Sequence, residues 1–163
     1  MAMSAEEPPR FLCDAMLGSL ARWLRAAGYD TLLARRESDR ELLALAAATG
    51  RHFLTCDGTI REHKAARGVA LVLPQTKLDD IAELIGRRFA IDWLARAFTR
   101  CVLDNAPLEA ATAEQVASHP HPLPGEVLHC PACDRLYWEG SHLRRMYRRL
   151  ERWQATHGRA AGP

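Results

Sequence analysis

The sequence predicts an α/β fold in which helices cover both faces of a mostly parallel sheet. Over the first hundred residues, short apolar runs of strand length alternate with segments whose apolar residues recur at helical spacing. Each helix returns the chain to the edge of the sheet where the previous strand began, so the strands run parallel. Hydrophobic residues make up 48% of the chain, which is enough to form a core.

The first predicted strand covers residues 11–14, and a helix follows it. The apolar residues of that helix recur at helical spacing: Leu17, Leu20, Ala21, Leu24 and Ala27. Gly28 is the predicted stop, and residues 29–34 form the second strand. Ser38 and Glu41 have the spacing of a capping box, which predicts a second helix that Gly50 closes.

Residues 52–56 are the third predicted strand, residues 60–67 a short helix and residues 69–73 the fourth strand. Thr76 with Asp79 is interpreted as the cap of a further helix, which carries Leu78, Ile81, Ile85 and Phe89. Near residue 99 the alternation stops, and prolines break the following stretch. We therefore predict four parts: a disordered leader (1–9), an α/β domain (10–98), a cysteine-bearing module (99–142), and a basic amphipathic helix with a tail (143–163).

Composition narrows the functional classes. No apolar run approaches the ~18 residues that a membrane span needs, and the polar start lacks a secretory signal, so we expect a cytoplasmic protein with no membrane contact. Five cysteines are an odd number for a disulfide framework, and in a reducing compartment paired cysteines more often bind metal. Cys13 and Cys56 lie in apolar runs and are predicted to be buried.

Acidic residues follow two of the predicted strands. Asp14 ends the first and Asp57 the third, and carboxyl ends of parallel strands meet at one edge, where Asp39 also begins a helix. Three acids at one edge predict a divalent cation with oxygen ligands, Mg²⁺ or Mn²⁺, which can activate water for phosphodiester hydrolysis. Each acid also has a structural interpretation, as a turn or cap residue, and Glu41 is the expected partner of Ser38.

Basic residues are concentrated near the C-terminus, where five arginines and one glutamate fall on the predicted amphipathic helix. Its apolar side is predicted to carry Leu143, Met146, Tyr147, Leu150 and Trp153. The clustered charge suits a polyanionic partner, although solvated arginines are a common alternative. The candidate phosphate contacts are Arg22, Arg25, Arg51, Arg144, Arg145, Arg148 and Arg149.

Four segments carry a resemblance to a known family: FLCDAMLGSLARWLRAAGYDT, SDRELLALAAATGRHFLTCD, RCVLDN and CPACDRLYWEGSH. Together, over about residues 10–150, they resemble the PIN-like RNase domain found at the C-terminal end of the Mutator-seven exonuclease and in stand-alone prokaryotic proteins. The resemblance implies a PIN-like fold, a divalent-metal ribonuclease site at Asp14, Asp39 and Asp57 with Glu41 as a further candidate, and an attached zinc ribbon. PIN nucleases usually have one more acid after the next strand, but here VALVLPQT contains none.

The zinc ribbon that this resemblance implies departs from the family pattern at one position. Cys130 and Cys133 have zinc-ligand spacing, and Cys101 matches a family cysteine, but aspartate stands at position 104. The fourth ligand is then either Asp104 or one of the histidines, and a module without metal is the alternative. The histidines are His119, His121, His129 and His142.

The sequence leaves three functional classes open. A metal-dependent endoribonuclease accounts for the acids and the resemblance. A non-catalytic RNA-binding module would explain the missing acid, with the Tyr137–Trp138 pair as either a base-stacking platform or the ribbon core. A phosphoacceptor signalling domain is disfavoured because Cys13, rather than a second acid, precedes Asp14.

Overall fold

The computed structural model describes residues 7–159 and contains a four-stranded, wholly parallel sheet. Its strands are β1 (Arg10–Cys13), β2 (Thr31–Leu33), β3 (Arg51–Thr55) and β4 (Ala70–Val72), in the order β2-β1-β3-β4. The two central strands, β1 and β3, are almost entirely buried along their carboxyl halves, as apolar runs of this length require when both faces are covered. The predicted α/β class and parallel sheet are therefore confirmed.

Three helices connect or follow these strands: α1 (Gly18–Ala26), α2 (Asp39–Thr49) and α3 (Leu78–Phe89). The predicted capping box begins α2: the Ser38 hydroxyl accepts from the Glu41 amide, and the Glu41 carboxylate accepts from the Ser38 amide. Gly50 ends α2 in the left-handed conformation, at φ 62°, which glycine adopts without steric cost.

Two local predictions were wrong. The helix expected over 60–67 is instead a pair of 3₁₀ turns, Gly58–Glu62 and Lys64–Ala66, because His63 is extended between them. Thr76 does not cap α3, since Lys77 occupies the N-cap position and the Thr76 hydroxyl donates to Asp80 instead.

The two faces of the sheet have cores of unequal size. On one face α2 packs over Leu12, Phe53 and Ile60. The other face holds α1, α3 and the C-terminal helix α5 (Ser141–Arg159), and its core extends into the cysteine module through Cys101 and Tyr137. The α/β part and the module, separated near Phe98 in the sequence prediction, thus share one continuous core.

The module itself is a small antiparallel sheet of β5 (Glu109–Ala110), β6 (Val127–His129) and β7 (Leu136–Trp138), with a short helix α4 (Ala113–Ala117). The α5 helix that follows is amphipathic, as predicted, and buries Met146, Leu150 and Trp153. Tyr147 departs from the prediction, since 41% of it is exposed.

Residues 1–6 of the predicted leader and residues 160–163 of the predicted tail lie outside the described range. Within that range, no helix combines the length and the apolar character needed to cross a bilayer.

Candidate active site and metal centre

Two of the predicted acids meet at the carboxyl edge of the sheet. Asp14 follows β1 and Asp57 follows the neighbouring β3, and one buried hydroxyl joins them. The Thr55 Oγ1 atom donates to Asp14 Oδ2 at 2.8 Å and accepts from the Asp57 backbone amide at 3.0 Å. The Asp14 amide also donates to the Leu54 carbonyl at 2.9 Å, which extends the pairing of β1 and β3 into the site.

Local hydrogen bonds also orient Asp57. Its Oδ1 atom accepts from both the backbone amide and the hydroxyl of Thr59, each at 2.8 Å. The backbone bond and then the side-chain bond lower the pKa of this exposed carboxyl below its ordinary value. Asp57 is therefore a carboxylate at neutral pH, and its Oδ2 atom makes no hydrogen bond to any described residue.

Asp39 is the first residue of α2 and is half-buried at the same edge. Among residues 7–156, whose side chains the structure describes, the four salt bridges leave Asp14, Asp39 and Asp57 without a cationic partner. Glu41 is engaged in the capping box: one carboxylate oxygen, Oε2, accepts from both the amide and the hydroxyl of Ser38 at 2.7 Å.

The acids do not form a closed ligand cluster. Within the described chain, ligand atoms of three or more acidic, cysteine or histidine residues approach within 4.8 Å of one another at one place only, and that place is in the cysteine module. Asp79, the first acid after β4, differs from these three acids because it already has a cationic partner: its Oδ1 accepts from Arg149 at 2.9 Å and also from Trp153 at 2.7 Å.

Two arginines expected to contact phosphate have structural roles instead. Arg25 is buried and donates to the carbonyls of Thr31 (2.8 Å) and Leu103 (2.7 Å). Arg51 forms a two-pronged ion pair with Asp30, at 2.8 and 2.9 Å, at the amino ends of the strands and thus opposite the acidic edge. Arg25 is committed to these carbonyls through Nε and Nη1, and Arg51 to Asp30 through Nη1 and Nη2, while Arg51 Nε is buried without a hydrogen-bond partner in the described part of the chain. Both arginines therefore have framework roles, which corrects their expected role as phosphate contacts.

The other candidate arginines lie at the surface, with one exception. Arg22, Arg144, Arg145 and Arg148 are exposed. Arg149 is partly covered, since it pairs with Asp79 and stacks over the rings of Trp23 and Trp153, each with its guanidinium carbon 5.1 Å from the ring centre.

The metal-ligand group in the module consists of Cys101, Asp104, Cys130 and Cys133. The Sγ atoms of Cys101 and Cys133 are 3.8 Å apart, and Cys130 Sγ is 3.3 and 3.4 Å from the two Asp104 oxygens. A tetrahedral zinc ion with Zn–S bonds of about 2.3 Å and a Zn–O bond of about 2.0 Å has edges of roughly 3.8 and 3.5 Å, so this group fits zinc.

Asp104, and not one of the histidines, lies with the three cysteines as the candidate fourth ligand. His129 lies close by in sequence, but its Nε2 atom is 3.1 Å from Asp134 and it is not part of the ligand group. His119 bonds the backbone of His121, and His142 lies beside Arg22. Asp104 is thus the residue that stands with the three thiols.

The electrostatics of this group favour a cation. Partial burial raises the pKa of the Asp104 carboxyl, but hydrogen bonds from the Ala106 amide and the three thiols outweigh it and leave that pKa at about 2. Desolvation, and then the adjacent Asp104 carboxylate, raises the pKa of Cys133 to about 12. A dication among these groups would offset the Asp104 charge that helps to raise the pKa of the Cys130 and Cys133 thiols.

Three residues support these sites: Thr55 and Asn105, which the sequence analysis missed, and Tyr137, for which it gave the ribbon core as one interpretation. Thr55 joins the two acids, and its position directly before Cys56-Asp57 was the available signal. The Tyr137 hydroxyl lies 3.1 Å from Cys101 Sγ and accepts from the Val102 amide, so Tyr137 belongs to the module core and supports a ligand. Asn105 donates to Asp30 at 2.7 Å and accepts from the Thr31 amide. These bonds tie residues 101–105, which carry Cys101 and Asp104 and are called the ligand loop, to the sheet. No local sequence pattern predicted this contact.

Comparison with known proteins yields one match. A family model described as "Mut7-C RNAse domain" matches residues 9–150, which is most of the chain and includes both sites. No curated protein and no solved structure gives a significant match.

Proposed function

The chain belongs to the Mut7-C RNAse domain family, and on that premise we propose that it is a divalent-metal-dependent endoribonuclease. The single observation that carries the proposal is the shared Thr55 hydroxyl, which holds Asp14 and the Asp57 backbone at the ends of the two central strands. Ligand sites of parallel α/β sheets occur at this edge.

The donor atoms at this edge suit Mg²⁺ or Mn²⁺. All are carboxylate oxygens, and Asp14 Oδ1 and Asp57 Oδ2 have no hydrogen-bond partner in the described chain, which leaves one oxygen of each for a cation. Asp14, Asp57 and Asp39 would hold the ion. A bound ion of this kind supplies electrostatic stabilisation of the charge that develops on a phosphodiester.

Magnesium is commonly bound through one or two carboxylates, with solvent and substrate completing its shell. The open arrangement of the three acids is compatible with this mode, because substrate phosphate would supply further oxygens. Asp39, at the start of α2, would be the third residue to hold the ion. Glu41 is assigned to the helix cap, since Oε2 is already used twice.

The test is cleavage of labelled single-stranded and hairpin RNA by metal-stripped protein with Mg²⁺, Mn²⁺ or no added ion. Asp14→Asn and Asp57→Asn are expected to lose cleavage by at least ~100-fold while keeping the wild-type melting temperature within a few degrees. Glu126→Gln removes one exposed carboxylate in the module and serves as the matched control. Undiminished cleavage by purified Asp14→Asn protein would refute the assignment.

A second candidate is an RNA-binding module without catalysis, which the open spacing of the acids favours. It predicts RNA binding that weakens steeply with salt, and no cleavage under any of the three metal conditions.

We also propose that Cys101, Asp104, Cys130 and Cys133 hold a structural zinc ion. The module has only short strands, and metal binding would add to its folding free energy. Elemental analysis of the purified protein is expected to find one zinc per chain, and Cys133→Ser is expected to lose it with a lower melting temperature. Wild-type protein that contains no zinc and has the same melting temperature as Cys133→Ser would contradict the proposal.

A further inference from the structure

We propose that a cleft between the cysteine module and the first turn of α5 binds one nucleotide of single-stranded RNA, with the base against Trp138 and the phosphate beside Arg22. This inference rests on the proposed function, because it takes RNA as the substrate. It adds a binding position whose lining residues include none of the acids of the proposed metal site.

The cleft has a volume of about 610 Å³ and opens to solvent. Its walls come from the β7 strand and the loop before it, the segment after α4, the ligand loop at residues 102–103, and the start of α5. Pockets for small ligands range over roughly 300–1,000 Å³, so a mononucleotide unit fits the available space.

The charges that line the cleft favour an anion. Arg22 and Arg135 are exposed cations, and His119 and His142 add imidazoles, whereas Asp134 is the one acid among its lining residues. The Asp134 side chain is 93% exposed and is 3.1 Å from His129 Nε2, so it is directed to another partner.

The phosphate position follows from Arg22. Its NH2 atom lies 3.4 Å from His142 Nε2, which brings a guanidinium and an imidazole to the same wall. Ser141 and His142 are the first residues of α5, and the amides of a first helical turn have no acceptors within the helix. A phosphate between Arg22 and this turn would meet donors from two elements.

The base position follows from Trp138, which is half-buried and lies along the cleft. Its indole packs on Gly140, where an added Cβ would be only 2.9 Å from Nε1. The His119 ring meets the indole edge-to-face, at 61° with the ring centres 5.1 Å apart. The indole is thus held in place, and a fixed aromatic surface stacks bases without regard to sequence.

The cleft also lies close to the acidic edge along α1. Arg22 is four residues after Gly18, where α1 begins, and this corresponds to about 6 Å along the helix axis. Asp14 lies just before Gly18, across a single 3₁₀ turn. An RNA strand anchored in the cleft can therefore continue toward the acids within a few nucleotides.

The experiment measures fluorescence anisotropy of a labelled ten-nucleotide single-stranded RNA with the full chain, without added Mg²⁺ or Mn²⁺ and over a range of salt. Trp138→Leu is expected to weaken binding about 5- to 100-fold, and Trp138→Phe, which keeps a ring, only a few-fold. Arg22→Gln is expected to weaken binding and to reduce the salt slope by about 0.7. Arg67→Gln removes the same charge from an exposed position remote from the cleft, and should bind as the wild type does.

Equal binding by Arg22→Gln and Arg67→Gln, or by Trp138→Leu and Trp138→Phe, would overturn the proposal. Arg22 is exposed, so its variant stays informative even if Trp138→Leu unfolds. The readout is separate from catalysis. If Arg22→Gln and Trp138→Leu bind RNA normally while Asp14→Asn loses cleavage, the cleft proposal is wrong and the nuclease proposal stands. If the cleft variants lose binding but the wild-type protein does not cleave RNA, the nuclease proposal is wrong and the cleft proposal stands.

Discussion

Thr55→Val tests the link between the two acids most directly. Thr55 is 1% exposed, and valine replaces its hydroxyl by a methyl group of similar size. The substitution removes a 2.8 Å hydrogen bond to a carboxylate, and such bonds contribute about 1.5–3 kcal/mol. The Asp57 amide also loses its acceptor, but Asp57 is exposed and water can replace it.

The expected loss of stability is therefore about 2 kcal/mol, which for a chain of this size lowers the melting temperature by about 4–8 °C. Partners that orient metal ligands typically change metal affinity or activity 10- to 100-fold when they are removed, so we expect cleavage at limiting Mg²⁺ to fall by that factor.

Thr55→Ser is the matched control, because it keeps the hydroxyl and removes only a methyl group. The assays are urea or thermal unfolding by circular dichroism, and the Mg²⁺ dependence of RNA cleavage. If Thr55→Val and Thr55→Ser both cleave RNA with the wild-type Mg²⁺ dependence, the hydroxyl has no functional role. That result would refute the assignment of Thr55 as the residue that orients the two acids.

Three further predictions concern the framework. Desolvation raises the pKa of the Asp30 carboxyl, but hydrogen bonds from Arg51 and Asn105 outweigh it and leave that pKa below its ordinary value. The stability that ionised Asp30 contributes is therefore present above about pH 4 and is lost as pH falls through the folded-state pKa. The free energy of unfolding, measured from pH 6 to 3, should be less pH-dependent in Asp30→Asn than in the wild type. Gly28→Ala should cost about 2–3 kcal/mol in urea unfolding, because φ is +87° and a Cβ would lie 2.2 Å from the Arg96 carbonyl oxygen. Arg25→Met should cost about 2–4 kcal/mol and leave the RNA affinity of the folded protein unchanged, since its donors serve buried carbonyls; a purely RNA-binding defect would contradict this.

The parallel sheet and the capped α2 helix were predictable because their determinants are local. Alternating apolar periodicity specifies which segments become strands, and a Ser-x-x-Glu pattern specifies a helix start within four residues. The placement of Asp14 and Asp57 also followed from the sequence, since parallel topology brings successive strand ends to one edge.

The roles of Arg25 and Arg51 could not be predicted from the sequence, because their partners are distant along the chain. Arg25 and Arg22 lie on the same helix three residues apart, and both look like phosphate contacts in the sequence. The carbonyl that receives Arg25 belongs to Leu103, 78 residues away, and the carboxylate that receives Arg51 belongs to Asp30. A side chain's periodicity shows which face of an element it occupies, but not which distant groups cover that face.

The sequence by itself determined the α/β class, the alternation of strands and helices that makes the sheet parallel, and the edge of the sheet at which Asp14 and Asp57 lie. Only the tertiary structure decided that Thr55 joins Asp14 to Asp57, that Asp104 stands with the three thiols, and that the module shares its core with the sheet. The physical reason is range. Helix caps and strand patterns depend on neighbours a few residues apart, whereas ligand groups and buried ion pairs depend on distances between segments that meet only when the core closes.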